Sequence, residues 1–239
     1  MACPVSVSGH HSGLSTSTID ATPSTIKFDT ALFDFDGTIM DTNDIVIESW
    51  QYTVRMLTGR EVTLDELRTA LGEVFAFSMK RIMPEIDFQL AVETYRTYQR
   101  EKFLNGIHLF DGVTETLAAL QELGIKIGLV TSRLANSTYK ALDHFDIRKY
   151  FDIVLTEEDC SKFKPDPEPL LLALARLESE AAKTIYLGDA IYDILAAKRA
   201  GVCAVLADWS VALPPGKRAG SPKPDLIIEH MRDLLKLFK

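Results

Sequence analysis

Apolar residues recur along this chain with two different periods. TALF, residues 30 to 33, is a short apolar run that leads directly into DFDGT, the pattern of a buried strand entering a turn. In TNDIVIESWQYTVRML, residues 42 to 57, apolar groups fall at Ile45, Ile47, Trp50, Val54 and Leu57. That spacing is helical, with Thr42 or Asn43 as the cap. TLDELRTAL, residues 63 to 71, reads as a second helix in which Thr63 and Glu66 match a capping box. Helical spacing continues over residues 75 to 83 and 87 to 104. Residues 42 to 105 are therefore expected to be all-helical.

From residue 106 the two periods alternate. The helix GVTETLAALQELG ends on Gly124, a fitting C-cap. KIGLVTS follows as a strand, then a helix over 135 to 144, then the strand DIVLT. Prolines open the next helix in KPDPEPLLLALARL, and TIYLGD, DILAAKRAG and CAVLAD continue as strand, helix and strand. A Pro/Gly loop at 214 to 224, the strand DLIIE and a last helix complete the chain. Strands separated by helices imply parallel pairing with right-handed crossovers. The expected organisation is an α/β core over 27–41 and 106–239, with a helical cap over 42–105. No internal repeat is visible.

Composition narrows the function. The chain has 239 residues and a net charge of −8, with no basic stripe to suggest a nucleic-acid surface. Residues 1–26 are rich in Ser and Thr, without periodicity or a signal-like apolar core, and are expected to form a flexible tail. No apolar run reaches the ~18 residues that a membrane span needs. The cysteines, Cys3, Cys160 and Cys203, are odd in number and contain no CxxC. That pattern fits free thiols in a reducing compartment, and with the missing signal it suggests the cytoplasm. Oligomeric state is not legible.

Chemistry collects at the predicted strand ends. The first strand ends in Asp34 and Asp36, the second reaches Thr131 and Ser132, and the fourth ends in Asp189 with Asp193 four residues on. Lys164 follows the third. In parallel sheets, ligands bind outside the carboxyl ends of the strands. Clustered carboxylates repel unless a cation joins them, and all-oxygen ligation suits Mg²⁺. A cation and a lysine together can neutralise a phosphoryl group. One aspartate can then attack phosphorus, and a second can move protons to and from oxygen.

DFDGT, VTS, KPDP and GDAIYD, in this order, resemble the motifs of the haloacid dehalogenase superfamily over about residues 28 to 239. The resemblance implies a Rossmann-like parallel sheet with a helical cap. It also implies an Mg²⁺-dependent hydrolase acting on a small phosphorylated metabolite. By that resemblance Asp34 is the nucleophile that becomes an aspartyl phosphate, and Asp36 is the general acid/base whose backbone carbonyl also reaches the metal. Thr131 and Ser132 bind the phosphate, Lys164 offsets its charge, Asp189 is a metal ligand and Asp193 a supporting acid. Gly37 permits the tight turn. Asp36 argues against a dehalogenase, which has no leaving oxygen to protonate. DTNDIVIESW, KPDPEPLLLAL and AVLADWS look most like phosphoglycolate phosphatases and related pyrophosphatases. A β-phosphoglucomutase-like mutase and a phosphate-binding module without turnover are the alternatives.

Several residues take plainer readings. Arg133, just after the second motif, is expected either to touch substrate or to sit at a solvated helix start, and Trp50 and Phe77 are expected in the core of the cap. Lys80 and Arg81 are expected to face water. Glu73, in LGEVF, is expected to repel a second phosphate or carboxylate. His108 and His144 are isolated, and Cys160 and Cys203 are expected to pack as small apolar groups.

Overall fold

Alternation along β1 (Thr30–Phe33) decides how the layers form. Ala31 and Phe33 point into one core, while Leu32 points into another on the opposite face. The same division runs through β4 (Lys126–Val130), β6 (Thr184–Gly188) and β7 (Cys203–Ala207): Ile127, Ile185 and Val205 face one way, and Val130, Tyr186 and Leu206 face the other. A sheet apolar on both faces must be covered on both. Helices α5 (Val113–Glu122) and α6 (Ala135–His144) cover the first face, and α7 (Glu168–Leu177) and α8 (Ile191–Ala200) cover the second.

This computed structural model describes residues 28–68, 70, 71, 73, 75–213 and 222–238. The expected tail over residues 1–26 and most of the loop at 214 to 224 lie outside them. With β5 (Ile153–Leu155) and β8 (Leu226–Ile228), the main sheet runs in the order β5-β4-β1-β6-β7-β8, and all its pairings are parallel. β1 is central, with Phe33 opposite Leu129 on one side and Leu187 on the other. The expected α/β core is present.

The helical insert consists of α1 (Asn43–Thr58), α2 (Leu64–Arg68), α3 (Phe75–Ile82) and α4 (Phe88–Lys102). It is connected through a two-stranded antiparallel ribbon, β2 (Met40–Asp41) with β3 (His108–Leu109). Two-residue strands are too short to leave a sequence period, so the pattern did not predict them. Thr42 is the N-cap of α1 as expected, but its side chain makes no capping bond; Asp41 Oδ1 instead accepts from the Asn43 amide at 3.2 Å. The Thr63–Glu66 capping box forms in both directions, at 2.9 and 3.3 Å. Trp50 packs within 5.4 Å of Phe75 and 5.3 Å of Tyr95, centroid to centroid. Phe77 instead is 63% exposed, because it lies on the far side of α3 from the buried Ser78, Met79 and Ile82.

Two further expectations change. The last helix, Met231–Phe238, is a 3₁₀ helix, and Met231, Leu234 and Leu237 all pack on the core. Three-residue spacing suits three residues per turn. Cys203 is buried in β7 as expected, yet it is disulfide-bonded, while Cys160 is free. The expectation of free thiols is thus corrected at Cys203, because sequence spacing does not say which sulfurs meet in space. No helix among the described residues is long and apolar enough to cross a membrane.

Phe33 is fully buried at the centre of the sheet. Phe33→Ala should lower the unfolding free energy by about 3–5 kcal/mol, through lost burial and the cavity left behind. Urea denaturation monitored by circular dichroism measures this.

Candidate active site

Strand pairing alone gathers the site. β1 pairs with both β4 and β6, so their carboxyl ends lie side by side. Asp34 follows β1, Thr131 follows β4 and Asp189 follows β6. The loop before α7 adds Lys164, which precedes a cis peptide to Pro165. The first turn of α8 adds Asp193. Asp34, Thr131, Lys164, Asp189 and Asp193 are all buried.

Lys164 is the hub of this group. Its Nζ donates to Asp34 Oδ1 at 2.6 Å, to Asp193 Oδ1 at 2.7 Å and to Tyr186 Oη at 3.0 Å. These three bonds use every donor of the ammonium. Asp193 Oδ2 accepts from the Ala190 amide at 2.9 Å, so both of its oxygens are engaged. Ser210 Oγ donates to Asp189 Oδ2. Oδ2 of Asp34 and Oδ1 of Asp189 have no hydrogen-bond partner among the described residues.

The charges do not balance. Asp34, Asp189 and Asp193 place ligand oxygens within 4.8 Å of one another, around a single ammonium. Burial pushes the Asp34 carboxyl up to about 7, with Asp193 and Asp36 adding to the rise and Lys164 opposing it. Burial also raises Asp189 well above the usual carboxylate range, and Asp193 and Asp34 add to the effect. Burial works against the charge on Lys164, but Asp193 and Asp34 outweigh it and hold the ammonium charged. Two carboxylates with free oxygens in a site of excess negative charge form a donor set that fits a hard divalent cation.

Gly37 is a steric requirement of this cluster. Its φ is +74°, and a Cβ there would lie 2.1 Å from Asp189 Oδ2. The glycine therefore lets Asp189 come up against the turn that carries Asp34 and Asp36.

Asp36 is turned away from the lysine hub. Its Oδ1 accepts from Arg133 Nη1 at 2.8 Å. The Arg133 side chain is 9% exposed, and its guanidinium lies 4.2 Å from the Phe103 ring centroid. Of the two readings of Arg133, the solvated helix start is thus corrected. The residue follows Thr131 so closely that the strand end carries it into the cleft, and its amide donates to Thr131 Oγ1 at 3.2 Å. Ser132 lines the same cleft.

Sequence reasoning also missed Tyr186 and Ser210. A tyrosine in an otherwise aliphatic buried strand is a signal, because its hydroxyl needs a partner. Ser210 carries no such mark, since only the approach of its loop to Asp189 gives it a role.

Between insert and core lies a cavity of about 390 Å³, lined among others by Asp34, Asp36, Lys164 and Asp189 below and by Trp50 and Tyr95 above. Glu73 lines it too, but Arg81 Nη2 donates to Glu73 Oε2 at 2.7 Å. The expected repulsion from Glu73 is therefore offset within the insert by Arg81, which is itself exposed as expected. Lys80 lies 5.8 Å from the Phe88 ring centroid, outside the cavity lining. His108 and His144 join no metal-ligating group among the described residues.

The family model for "Haloacid dehalogenase-like hydrolase" matches residues 31–207. A protein of Caldanaerobacter subterraneus subsp. tengcongensis described as "Putative pyrophosphatase PpaX" is 37% identical, over 90% of this chain and 96% of the relative. "Pyrophosphatase PpaX" of Anoxybacillus flavithermus is 30% identical, over 89% of this chain and 98% of the relative. A crystal structure titled "Putative haloacid dehalogenase-like hydrolase" from Bacteroides fragilis superposes with a TM-score of 0.79 at 25% identity, covering 87% of this chain and all (100%) of that one. One titled "a predicted phosphoglycolate phosphatase", from Haemophilus somnus, shares the fold with a TM-score of 0.80 at 23% identity, covering 89% and 98% of the two chains.

The charge imbalance predicts opposite effects for two substitutions in cation-free protein. Lys164→Met leaves two buried carboxylates without their counter-charge and should cost about 3–5 kcal/mol. Asp189→Asn removes a buried charge, keeps an acceptor for Ser210, and should raise Tm by ~2–4 °C, as about 1 kcal/mol does in a chain of this size. Because the folded protein raises the Asp189 pKa, the parent loses stability as pH climbs from the ordinary carboxylate value through the raised one. The advantage of Asp189→Asn should therefore grow with pH. Thermal melts with chelator across a pH series measure it, and an advantage that shrinks as pH rises would contradict the assignment.

Proposed function

The chain belongs to the haloacid dehalogenase-like hydrolase family, and from that premise we propose a mechanism and a substrate class for it. It is a hydrolase acting on phosphate monoesters or anhydrides. The observation that carries the proposal is the buried bridge from Lys164 to Asp34 and Asp193, with Asp189 beside it and Asp36 two residues beyond the nucleophile.

In this reading the substrate's phosphoryl group enters against Lys164 and the Thr131 and Ser132 hydroxyls. A carboxylate oxygen of Asp34 attacks phosphorus, and the bond from phosphorus to the leaving oxygen breaks. Asp36 gives that oxygen a proton. Water then attacks the phosphorus of the aspartyl phosphate, Asp36 takes the water's proton, and the bond to Asp34 breaks to release inorganic phosphate. Asp34, Asp189 and the Asp36 carbonyl would hold Mg²⁺, which neutralises phosphoryl charge when bound. Asp193 acts as a positioning residue, through Lys164 and the Ala190 amide.

The domain division follows the same reading: core at 27–41 and 106–239, cap at 42–105. Cap closure excludes bulk water during reaction and reopening releases product. The substrate is a small phosphorylated metabolite handled in the cytoplasm. The names of the relatives support pyrophosphate as an anhydride substrate, and the motif likeness to phosphoglycolate phosphatases supports an ester.

Phosphate release with Mg²⁺ from pyrophosphate, phosphoglycolate, sugar phosphates, nucleotides and an aryl phosphate tests the reading. Asp34→Asn should reduce kcat by roughly a thousandfold or more, and chelator should abolish release. Activity that survives Asp34→Asn would overturn the nucleophile. Asp36→Asn should slow alkyl phosphates by ~10²–10⁴-fold, and aryl phosphates with good leaving groups much less.

A further inference from the structure

The cavity above Asp34 has a basic wall that the chemistry just described leaves unused. Arg96 and Arg100 lie one turn apart on α4, Arg133 lies just before α6 and Lys140 within it, and all four line the cavity. Helix α4 belongs to the insert and α6 to the core. Positive charge therefore faces positive charge across the cleft, and like charges around one cavity repel.

Little within the protein relieves this. Among the described residues, Arg100 and Lys140 have neither a hydrogen bond nor an ion pair. Glu157 is the carboxylate on this wall, and it feels Arg96 without a direct bond to it. Three other carboxylates of the cavity are paired, Asp34 with Lys164, Asp36 with Arg133 and Glu73 with Arg81, and Asp189 belongs to the acidic cluster around Asp34 on the cavity floor. Arg133 is held by Asp36 through one Nη only, and its Nε is buried with no acceptor. A buried donor without an acceptor is unfavourable. An anion in this space would meet the free donor and reduce the repulsion together.

Building on the phosphatase reading, we propose that Arg96, Arg100, Arg133 and Lys140 form a subsite for a second anionic group on the substrate. That group is a carboxylate or a phosphoryl group carried by the leaving group, while the scissile phosphoryl lies at Asp34 and Lys164. Because the subsite is half insert and half core, its anion is the counter-charge that lets the two sides approach. A substrate with a neutral leaving group lacks that counter-charge. The subsite thus selects substrates and favours closure with one set of contacts.

The test compares kcat/KM with Mg²⁺ for phosphoglycolate, pyrophosphate and phenyl phosphate. The proteins are the parent, the double variant Arg100→Gln/Lys140→Gln, and Arg100→Lys. Arg100 and Lys140 are exposed, so these changes empty no core. In the double variant, the ratio of the better doubly anionic substrate to phenyl phosphate should fall at least about tenfold, chiefly through KM. Arg100→Lys should keep most of the ratio, since it keeps the charge. Whichever of phosphoglycolate and pyrophosphate loses more identifies the anion as carboxylate or phosphoryl. A fall of less than about tenfold overturns the subsite while phosphate release through Asp34 stands. A parent that releases no phosphate from any of the three overturns the proposed function and this inference with it.

Discussion

One ammonium group buried among three carboxylates is the constraint on which the site depends. Lys164 has three donors, and Asp34, Asp193 and Tyr186 take all of them. Moving a lysine into a protein interior is costly unless its charge is paired and its donors are satisfied. Here both conditions hold, but only because β1, β6, α8 and the loop before α7 converge on one point. The same bridge fixes Asp34 in place, so the nucleophile proposed here is positioned by its neighbours rather than by its own short side chain.

The arrangement leaves Asp189 out. Its only hydrogen-bond donor is the Ser210 hydroxyl among the described residues, and burial holds its carboxyl against ionisation. Excess buried negative charge disfavours the empty site, and a cation bound there would offset it. That links metal affinity to stability through the same atoms. Gly37 completes the link, because any side chain there would displace Asp189 from the turn.

The helical insert enters through two very short strands, Met40–Asp41 and His108–Leu109. A narrow connection suits the cap closure proposed above, and the aromatic cluster of Trp50, Phe75 and Tyr95 gives the insert packing of its own. Phe103, just past α4, stacks on Arg133, which in turn holds Asp36. The end of the insert is thus in physical contact with a group that touches the proposed acid.

The sequence alone determined the parts of this protein that depend on local period and local chemistry. Alternating strands and helices, the all-helical stretch after Asp41 and the gathering of Asp34, Thr131 and Asp189 at strand ends were legible because a parallel sheet places its carboxyl ends together. Capping at Thr63 and Glu66 was legible for the same kind of reason, since its partners are three residues apart. Tertiary structure alone decided what depends on approach between distant segments. Arg133 is 97 residues from Asp36 and Ser210 is 21 from Asp189, and neither pairing has a sequence period. Glu73 reads as a repelling charge until Arg81 is brought to it, and Cys203 as a free thiol until a second sulfur meets it. Charge and burial belong to the assembled site: a carboxylate written in the sequence becomes a ligand, a partner or an acid only when the fold has chosen its neighbours.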